Sequence, residues 1–420
     1  MEKDRIILHC DCNSFYASVE TALNPRYRGI PMAVGGSEEA RHGIILAKNE
    51  EAKAYGVTTA ETIRSAKRKC PGLLVVPPHF EQYASYSRAV HGIYRRYTDF
   101  IEPFGLDEAW LDISKSQGLF GDGMAVAERI LKEVREEIGI TVSIGISFNK
   151  VFAKFGSDYK KPNAITAITR ENYASILYPL SVNSLLFVGK RTAEELRRFG
   201  ILTLGDLAAA SRSFLASRFG KSGSMIYDYV TGADESPVAN YYEDTPLAKN
   251  IGNGMTFKRD LTTLEELYLG IDALSEEIAF RMRKVKLCAG TVTLSLKDAN
   301  LDTVSRQMPT ETPTDIGREI ADTAKQLLKS IWKPGKAIRS VRVAGSNFTE
   351  RDKVTEQITF FDDGKTDREK LGRIENALDK VRERYGYTAV VSGATIDNEI
   401  GIDGGAASKK KTPQKKSENI

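Results

Sequence analysis

Two apolar runs in this chain end in, or close around, carboxylates, and an ordinary core does not tolerate that. Ile6-Ile7-Leu8 leads as a buried strand into Asp11-Cys12-Asn13-Ser14-Phe15-Tyr16, and far downstream Phe104 to Ile113 is apolar around Asp107-Glu108. Like charges held close in an apolar setting repel one another and lose solvation, so they persist where a cation compensates them. A single Asp in such a place is more often a turn residue or the partner of a buried Arg or Lys. Two clusters together point instead to a shared metal site for phosphoryl transfer. That chemistry needs charge neutralised on the attacking and leaving oxygens, which two Mg²⁺ ions bridged by carboxylates supply. Asp11 and Asp107 suit the bridging positions, and Glu108 suits the ion at the attacking hydroxyl. The Cys12 carbonyl adds an oxygen of the kind a hard ion accepts. Lys53, Lys150, Lys154 and Lys161 are candidate cations for a triphosphate, each with the plainer alternative of a surface lysine.

The flanking pattern is α+β. A helix through Tyr83, Val90, Ile93, Tyr94 and Tyr97 leads into strands on both sides of Asp107-Glu108. A second, with Met124, Ala127, Leu131, Val134 and Ile138 on one face, precedes a Thr141 to Ser147 strand. Residues 170 to 238 read as helical. There Gly189-Lys190-Arg191 opens a short helix ahead of Gly200 and a second helix near Thr203, a hairpin whose backbone N–H groups suit a DNA phosphate. From 255 to 343 the order is β-α-β-β-α-β, a split βαβ unit. Its first helix carries Leu267, Ile271, Leu274, Ile278, Met282 and Val285 on one face. Arg281, Arg283, Lys284 and Lys286 crowd that helix's end, either to track a phosphate backbone or as a solvated face.

With 420 residues the chain has room for about three domains. No apolar run approaches the ~18 residues of a membrane span, and none has the form of a secretory signal. The four cysteines and four histidines are scattered, without disulfide density or zinc spacing, which suits a reducing cytoplasm. Much of the net charge of +4 comes from Lys409-Lys410-Lys411 and Lys415-Lys416, in a tail (401–420) that reads as disordered and compatible with nucleic acid.

Asp11 to Tyr16, Asn49 to Val57, Leu106 to Ser114, Gly145 to Asn163 and the hairpin at Gly189, in that order, resemble the Y-family DNA polymerases, bacterial DNA polymerase IV type. The resemblance runs from the first strand to about residue 390. It implies a right hand: palm 1–14 and 81–168, fingers 15–80, thumb 169–238, linker 239–248, little finger 249–348, and a clamp-binding peptide with a C-terminal extension at 349–400. It implies an error-prone translesion polymerase without a proofreading exonuclease, using primer-template DNA, deoxynucleoside triphosphates and two Mg²⁺ ions. The implied setting is a monomer in the cytoplasm at the nucleoid; an inactive DNA-binding repair factor on the same fold is the alternative. Asp11, Asp107 and Glu108 would be the catalytic acids. Ser14, Phe15 and Tyr16 would meet the nucleotide together with Lys53 and Lys161. Tyr16 would be the steric gate against a ribose 2′-OH, where a core aromatic is the plainer alternative. Glu50 and Lys53 stand where the family commonly has Tyr and Arg, so the triphosphate contact departs from the family's. Gln357, Ile358, Phe360 and Phe361 resemble the sliding-clamp peptide, with an edge strand as the alternative. Gly35-Gly36-Ser37-Glu38-Glu39 is superficially like a diguanylate cyclase signature, but Ser37 replaces its metal-binding acid. The helix with Leu371, Ile374, Leu378 and Val381 on one face is an accessory element with no assigned function.

Overall fold

The structure is a computed structural model that describes residues 5–37, 43–240, 248–355, 364–396 and 398–402. The chain forms two compact units, Met1–Ser37 with Gly43–Pro246 and Glu38–His42 with Leu247–Ile420. Gln357, Ile358, Phe360 and Phe361, most of the 239–248 linker, and the tail beyond residue 402 lie outside the described residues.

In chain order the first unit contains β1 (Ile7–Cys12), β2 (Met32–Gly35), β3 (Ile45–Lys48), β4 (Leu74–Val76), β5 (Ile101–Pro103), β6 (Glu108–Asp112), β7 (Val142–Ser147) and β8 (Ile165–Ile168). Five of them form one sheet, in the order β5-β6-β1-β7-β8, and β3-β2-β4 form a second. Every residue of central β1 is buried. Its two faces differ because side chains alternate along a strand. Leu8, Cys10 and Cys12 join Ala109, Leu111 and Ile144 in the core beneath the Phe80–Tyr94 and Gly123–Glu133 helices. Ile7, His9 and Asp11 face the other way, under the Lys150–Tyr159 helix. That helix can lie close because a Cβ on Gly145 of β7 would fall 1.9 Å from the Ala153 carbonyl oxygen. The fourth position of β7 must therefore be glycine.

The Gly123–Glu133 helix buries Gly123, Val126, Ala127 and Ile130 and continues as a π turn over Val134–Ile138. Met124, expected on the inner face, is 40% exposed; the 3.6-residue repeat that reaches the sheet runs one register earlier. Helices Lys190–Arg198, Leu204–Ala209, Arg212–Phe219 and Lys221–Val230 close the unit around Leu185, Leu196, Leu204, Leu215 and Ile226. A reciprocal Thr203–Asp206 capping box starts the second of them.

The second unit adds β9 (Asn250–Leu261), β10 (Leu287–Asp298), β11 (Thr303–Thr314) and β12 (Ile338–Glu350), paired antiparallel in the order β11-β10-β12-β9. Helices Leu264–Lys284 and Gly317–Ile331 complete the expected β-α-β-β-α-β order. Leu267, Ile271, Leu274, Ile278 and Met282 are buried as the sequence predicts, whereas Val285 is past the helix end and 54% exposed.

A further helix, Gly364–Tyr385, docks on this unit. The sequence groups Leu371, Ile374, Leu378 and Val381 on one face there; Leu371 and Leu378 are half-buried, Ile374 and Val381 are exposed, and the inner face carries charge. Arg283 is the reason, and it is also a correction. It was a candidate for the DNA backbone, yet its side chain is 4% exposed and its guanidinium is forked onto Asp379 at 2.6 and 2.9 Å. The same group also holds Glu375 and the Asp315 carbonyl. A buried guanidinium spent on two carboxylates has nothing left for phosphate. Arg281, Lys284 and Lys286 remain exposed.

Candidate active site

Strand register brings the first acids together. β1 pairs antiparallel with β6, opposing Asp11 to Glu108 and His9 to Trp110, so all four side chains share one face. Asp11, Glu108 and the ring of His9 offer ligand atoms within 4.8 Å of one another. Asp107 stands one residue earlier, before β6 begins, on the turn that Gly105 enters at φ +101°; it is not one of those three ligand groups, although the charges of Glu108 and Lys161 act on its carboxylate. The Asp107 carbonyl still accepts the Cys12 N–H at 2.9 Å, which fixes the turn beside the end of β1.

Lysines from the overlying helix and the loop after it compensate this charge. Lys154 pairs with Glu108, and Lys161 lies 2.5 Å from Asp11 and 2.7 Å from Asp158. Lys150 is not beside the acids: it binds Glu102 at 2.6 Å and lies over the Trp110 ring. Burial raises the Asp11 carboxyl to about 7, against the pull of Lys161 and with help from Glu108. Burial, and then Glu108, raise Asp107 as well. Burial pushes Glu108 the same way, but contacts from His9 and Lys154 hold it down at about 2.

His9 is the residue that sequence reasoning missed. Its Nδ1 is 2.7 Å from Ser157 Oγ, and Ser157 donates to the Lys154 carbonyl. Its Nε2 lies 3.3 Å from Glu108 Oε2 and has no hydrogen-bond partner among the described residues. Burial lowers its pKa to about 4, so the ring is neutral near pH 7. The signal was present in the sequence: His9 is two positions before Asp11 and therefore on the same strand face.

The donor set suits a hard divalent cation. Carboxylate oxygens converge where burial disfavours their charge, and the buried Nε2 beside them lacks a partner.

Tyr16 is half-buried on the Phe15–Leu23 helix rather than sunk in the core. Its ring stacks on Tyr83 at 4.2 Å and 13°, and meets the edge of Phe80 at 6.0 Å and 89°. Tyr83 is anchored by donating its hydroxyl to Glu20. The Phe15 side chain, 3% exposed, belongs to the sheet's core, so its backbone is the part that remains for a nucleotide. Asn49 caps the Glu50–Ala54 helix and sets its two unusual residues. Glu50 lies 3.4 Å from both the Ser14 hydroxyl and the Lys53 ammonium, so Lys53 faces an acid already. Gly189, Lys190 and Arg191 are exposed at the start of the Lys190–Arg198 helix.

Comparison with known proteins agrees with this arrangement. Residues 10–158 match the impB/mucB/samB family, and residues 248–360 match the C-terminal domain of that family. A DNA polymerase IV from Acetivibrio thermocellus is 44% identical, over 94% of this chain and 98% of that protein. DNA polymerase IV 1 of Bacillus subtilis is 34% identical, over 94% of each. The chain belongs to the Y family of DNA polymerases. It is a DNA-directed DNA polymerase of the translesion, DNA polymerase IV type. A solved Y-family DNA polymerase chimera shares the fold of this polymerase, with a TM-score of 0.73 over 82% of this chain and 99% of that one at 24% identity. Members of such a family depend on divalent metal, which the convergent acids can hold. Among the described residues no helix is long and apolar enough to cross a membrane, and all four cysteines are free and buried.

Proposed function

We propose that this polymerase extends a primer by two-metal nucleotidyl transfer, with Asp11, Asp107, Glu108 and the Cys12 carbonyl as the ligands of two Mg²⁺ ions. The observation that carries this is the pairing of Asp11 with Glu108 across β1 and β6, in surroundings that raise Asp11 to about 7. Bound Mg²⁺ would neutralise charge on the attacking and leaving oxygens. The primer 3′-oxygen attacks the α-phosphorus as its proton passes to solvent water, and the bond to pyrophosphate breaks. Lys161, held between Asp11 and Asp158, is the lysine placed to exchange a carboxylate for a triphosphate oxygen. Tyr16 bars a ribose 2′-OH, and the Tyr83 stack keeps its ring in place. Lys154, paired with Glu108, holds it ionised and fixed in direction.

The five-stranded sheet serves as palm, the β3-β2-β4 sheet as fingers, the helices of 173–230 as thumb, and the second unit's sheet as little finger. Gly189, Lys190 and Arg191 hold a primer-template phosphate, and Gln357, Ile358, Phe360 and Phe361 engage the sliding clamp. We take the working form to be a monomer at the nucleoid, where its substrate lies; light scattering and fluorescence imaging test these points. Alanine at Gln357, Phe360 and Phe361 should remove clamp-stimulated synthesis while sparing basal extension, and equal loss of both would refute the clamp role.

Primer extension with Mg²⁺ tests the core of the scheme. Asp107→Ala should lower extension at least about a hundredfold, the equivalent of several kcal/mol of transition-state charge stabilisation. Binding of DNA without extension in the wild type, or full activity in the variant, would overturn it.

A further inference from the structure

The Gly364–Tyr385 helix is held by ions on its inner face and presents ions on its outer one. Inside, Arg283 binds Glu375 and Asp379, and Arg382, whose side chain is 2% exposed, reaches Glu276 at 2.5 Å. Arg368 binds Glu319 at 3.0 Å and the Pro313 carbonyl, and Glu375 accepts the Gly317 N–H. These contacts come from both helices of the β-α-β-β-α-β unit, so they fix the rotation of the docked helix about its own axis. With that rotation fixed, Lys370, Arg373, Lys380 and Arg384 all face solvent. At 100° per residue they fall within one quadrant, opposite Glu375 and Asp379. Exposed Glu369 and Glu383 border this stripe on one side, and exposed Ile374 and Val381 border it on the other.

We propose that this stripe is a nucleic-acid contact, which grips the phosphate backbone of DNA with four side chains. It spans about 21 Å at 1.5 Å per residue, the length of roughly six phosphates along one strand at 3.4 Å each. Its arrangement suits a polyanion more than a folded protein surface: the cations occupy the centre with only the small Ala377 among them, while the large apolar Ile374 and Val381 lie at one margin. One ion pair competes, Arg373 with Glu369 at 3.1 Å, where both side chains are more than half exposed. Such i,i+4 pairs contribute only about 0.3–0.5 kcal/mol, so phosphate can displace the carboxylate. The cation cluster that the sequence places at the end of the Leu264–Lys284 helix is thus split in use. Arg283 mounts the extra helix, and that helix carries the outward charge.

The inference rests on the polymerase reading only for the identity of the polyanion. Its test is the salt dependence of affinity for primer-template DNA, measured without nucleotide. Each phosphate neutralised adds about 0.9 to the slope of log K against log salt. The full chain with Lys370→Gln, Arg373→Gln, Lys380→Gln and Arg384→Gln should bind with a slope shallower by about 2 to 4. A slope within half a unit of the wild type overturns the proposal. Ile374→Ser with Val381→Ser should leave the slope unchanged; a flattening of the slope in this pair as large as in the four-cation variant would show that the effect is not one of charge and likewise overturn it. Thermal midpoints confirm that each variant folds, and all eight outer and marginal positions lie off the docked face. Primer extension at low salt reports on the active site separately, so a failed slope test leaves the polymerase reading standing.

Discussion

Removing the Asp11 charge should stabilise the metal-free protein progressively as pH rises. Burial lifts this carboxyl from its ordinary 3.8 to about 7 in the folded state, whereas the unfolded chain ionises near 3.8. Between those values the folded protein holds a proton that the unfolded chain has released. Wild-type stability therefore falls with rising pH through that window, by about 1.4 kcal/mol per unit where the two protonation states differ fully. Asparagine at this position does not titrate. The stability difference between Asp11→Asn and wild type should shift in the variant's favour by roughly 2–3 kcal/mol from pH 5 to pH 7.5 in chelator, and level off above about pH 8. The pull of Lys161 at 2.5 Å acts on the ionised carboxylate and is already contained in the raised value. Asp107 titrates in both proteins. Urea unfolding reads the effect best in a Trp332→Phe background, which leaves Trp110 as the only tryptophan, buried beside His9 in the first unit. Saturating Mg²⁺ should flatten the wild-type profile, because an ion that binds the folded carboxylates stabilises them by mass action. A difference that does not change between pH 5 and 7.5, or that moves in favour of the wild type, would refute the account of the site.

Tyr16→Ala should raise ribonucleotide incorporation relative to deoxynucleotide while primer binding stays as it was; unchanged sugar selectivity in single-turnover assays would remove Tyr16 from the gate. Glu50→Tyr removes a carboxylate from the neighbourhood of Ser14 and frees Lys53, so the KM for a deoxynucleotide should fall by up to about fivefold, the scale of a half-exposed charge contact of ~1 kcal/mol. A KM that stays level or rises would place Glu50 away from the triphosphate. Arg283→Met strands Glu375 and Asp379 and should cost the docked helix about 3–5 kcal/mol. Hydrogen exchange over 368–385 should then accelerate while basal primer extension persists, and unaltered protection would show that other contacts hold the helix.

Much of this architecture could be read from periodicity, and the misreadings share one cause. An apolar run that ends in Asp11 announces a buried strand and a charge that needs compensation, whatever the fold. Which group supplies that compensation depends on register between distant strands. The sequence grouped Asp11, Asp107 and Glu108 as one site; the β1–β6 pairing sets Asp11 opposite Glu108 and adds His9 to them. Local pattern likewise treated an arginine near a helix end as a surface cation and set Leu371, Ile374, Leu378 and Val381 together as the helix's one apolar face. Arg283 and the Gly364–Tyr385 helix reverse both expectations together, because each supplies what the other lacks. A buried guanidinium is tolerable only with carboxylates around it, and Glu375 and Asp379 face inward only because Arg283 is there. Hydrophobic burial is nearly additive and can be read one residue at a time, whereas buried charge is settled in pairs. In this chain the pairs join positions as far apart as 9 with 108, 11 with 161 and 283 with 379, separations no local window spans. The same dependence explains why the acids of the active site and the seam of the docked helix look alike in sequence. Both hold buried carboxylates, and they part in that Arg283 engages Glu375 and Asp379 directly, while lysines and an unpartnered imidazole leave the other open to a metal ion.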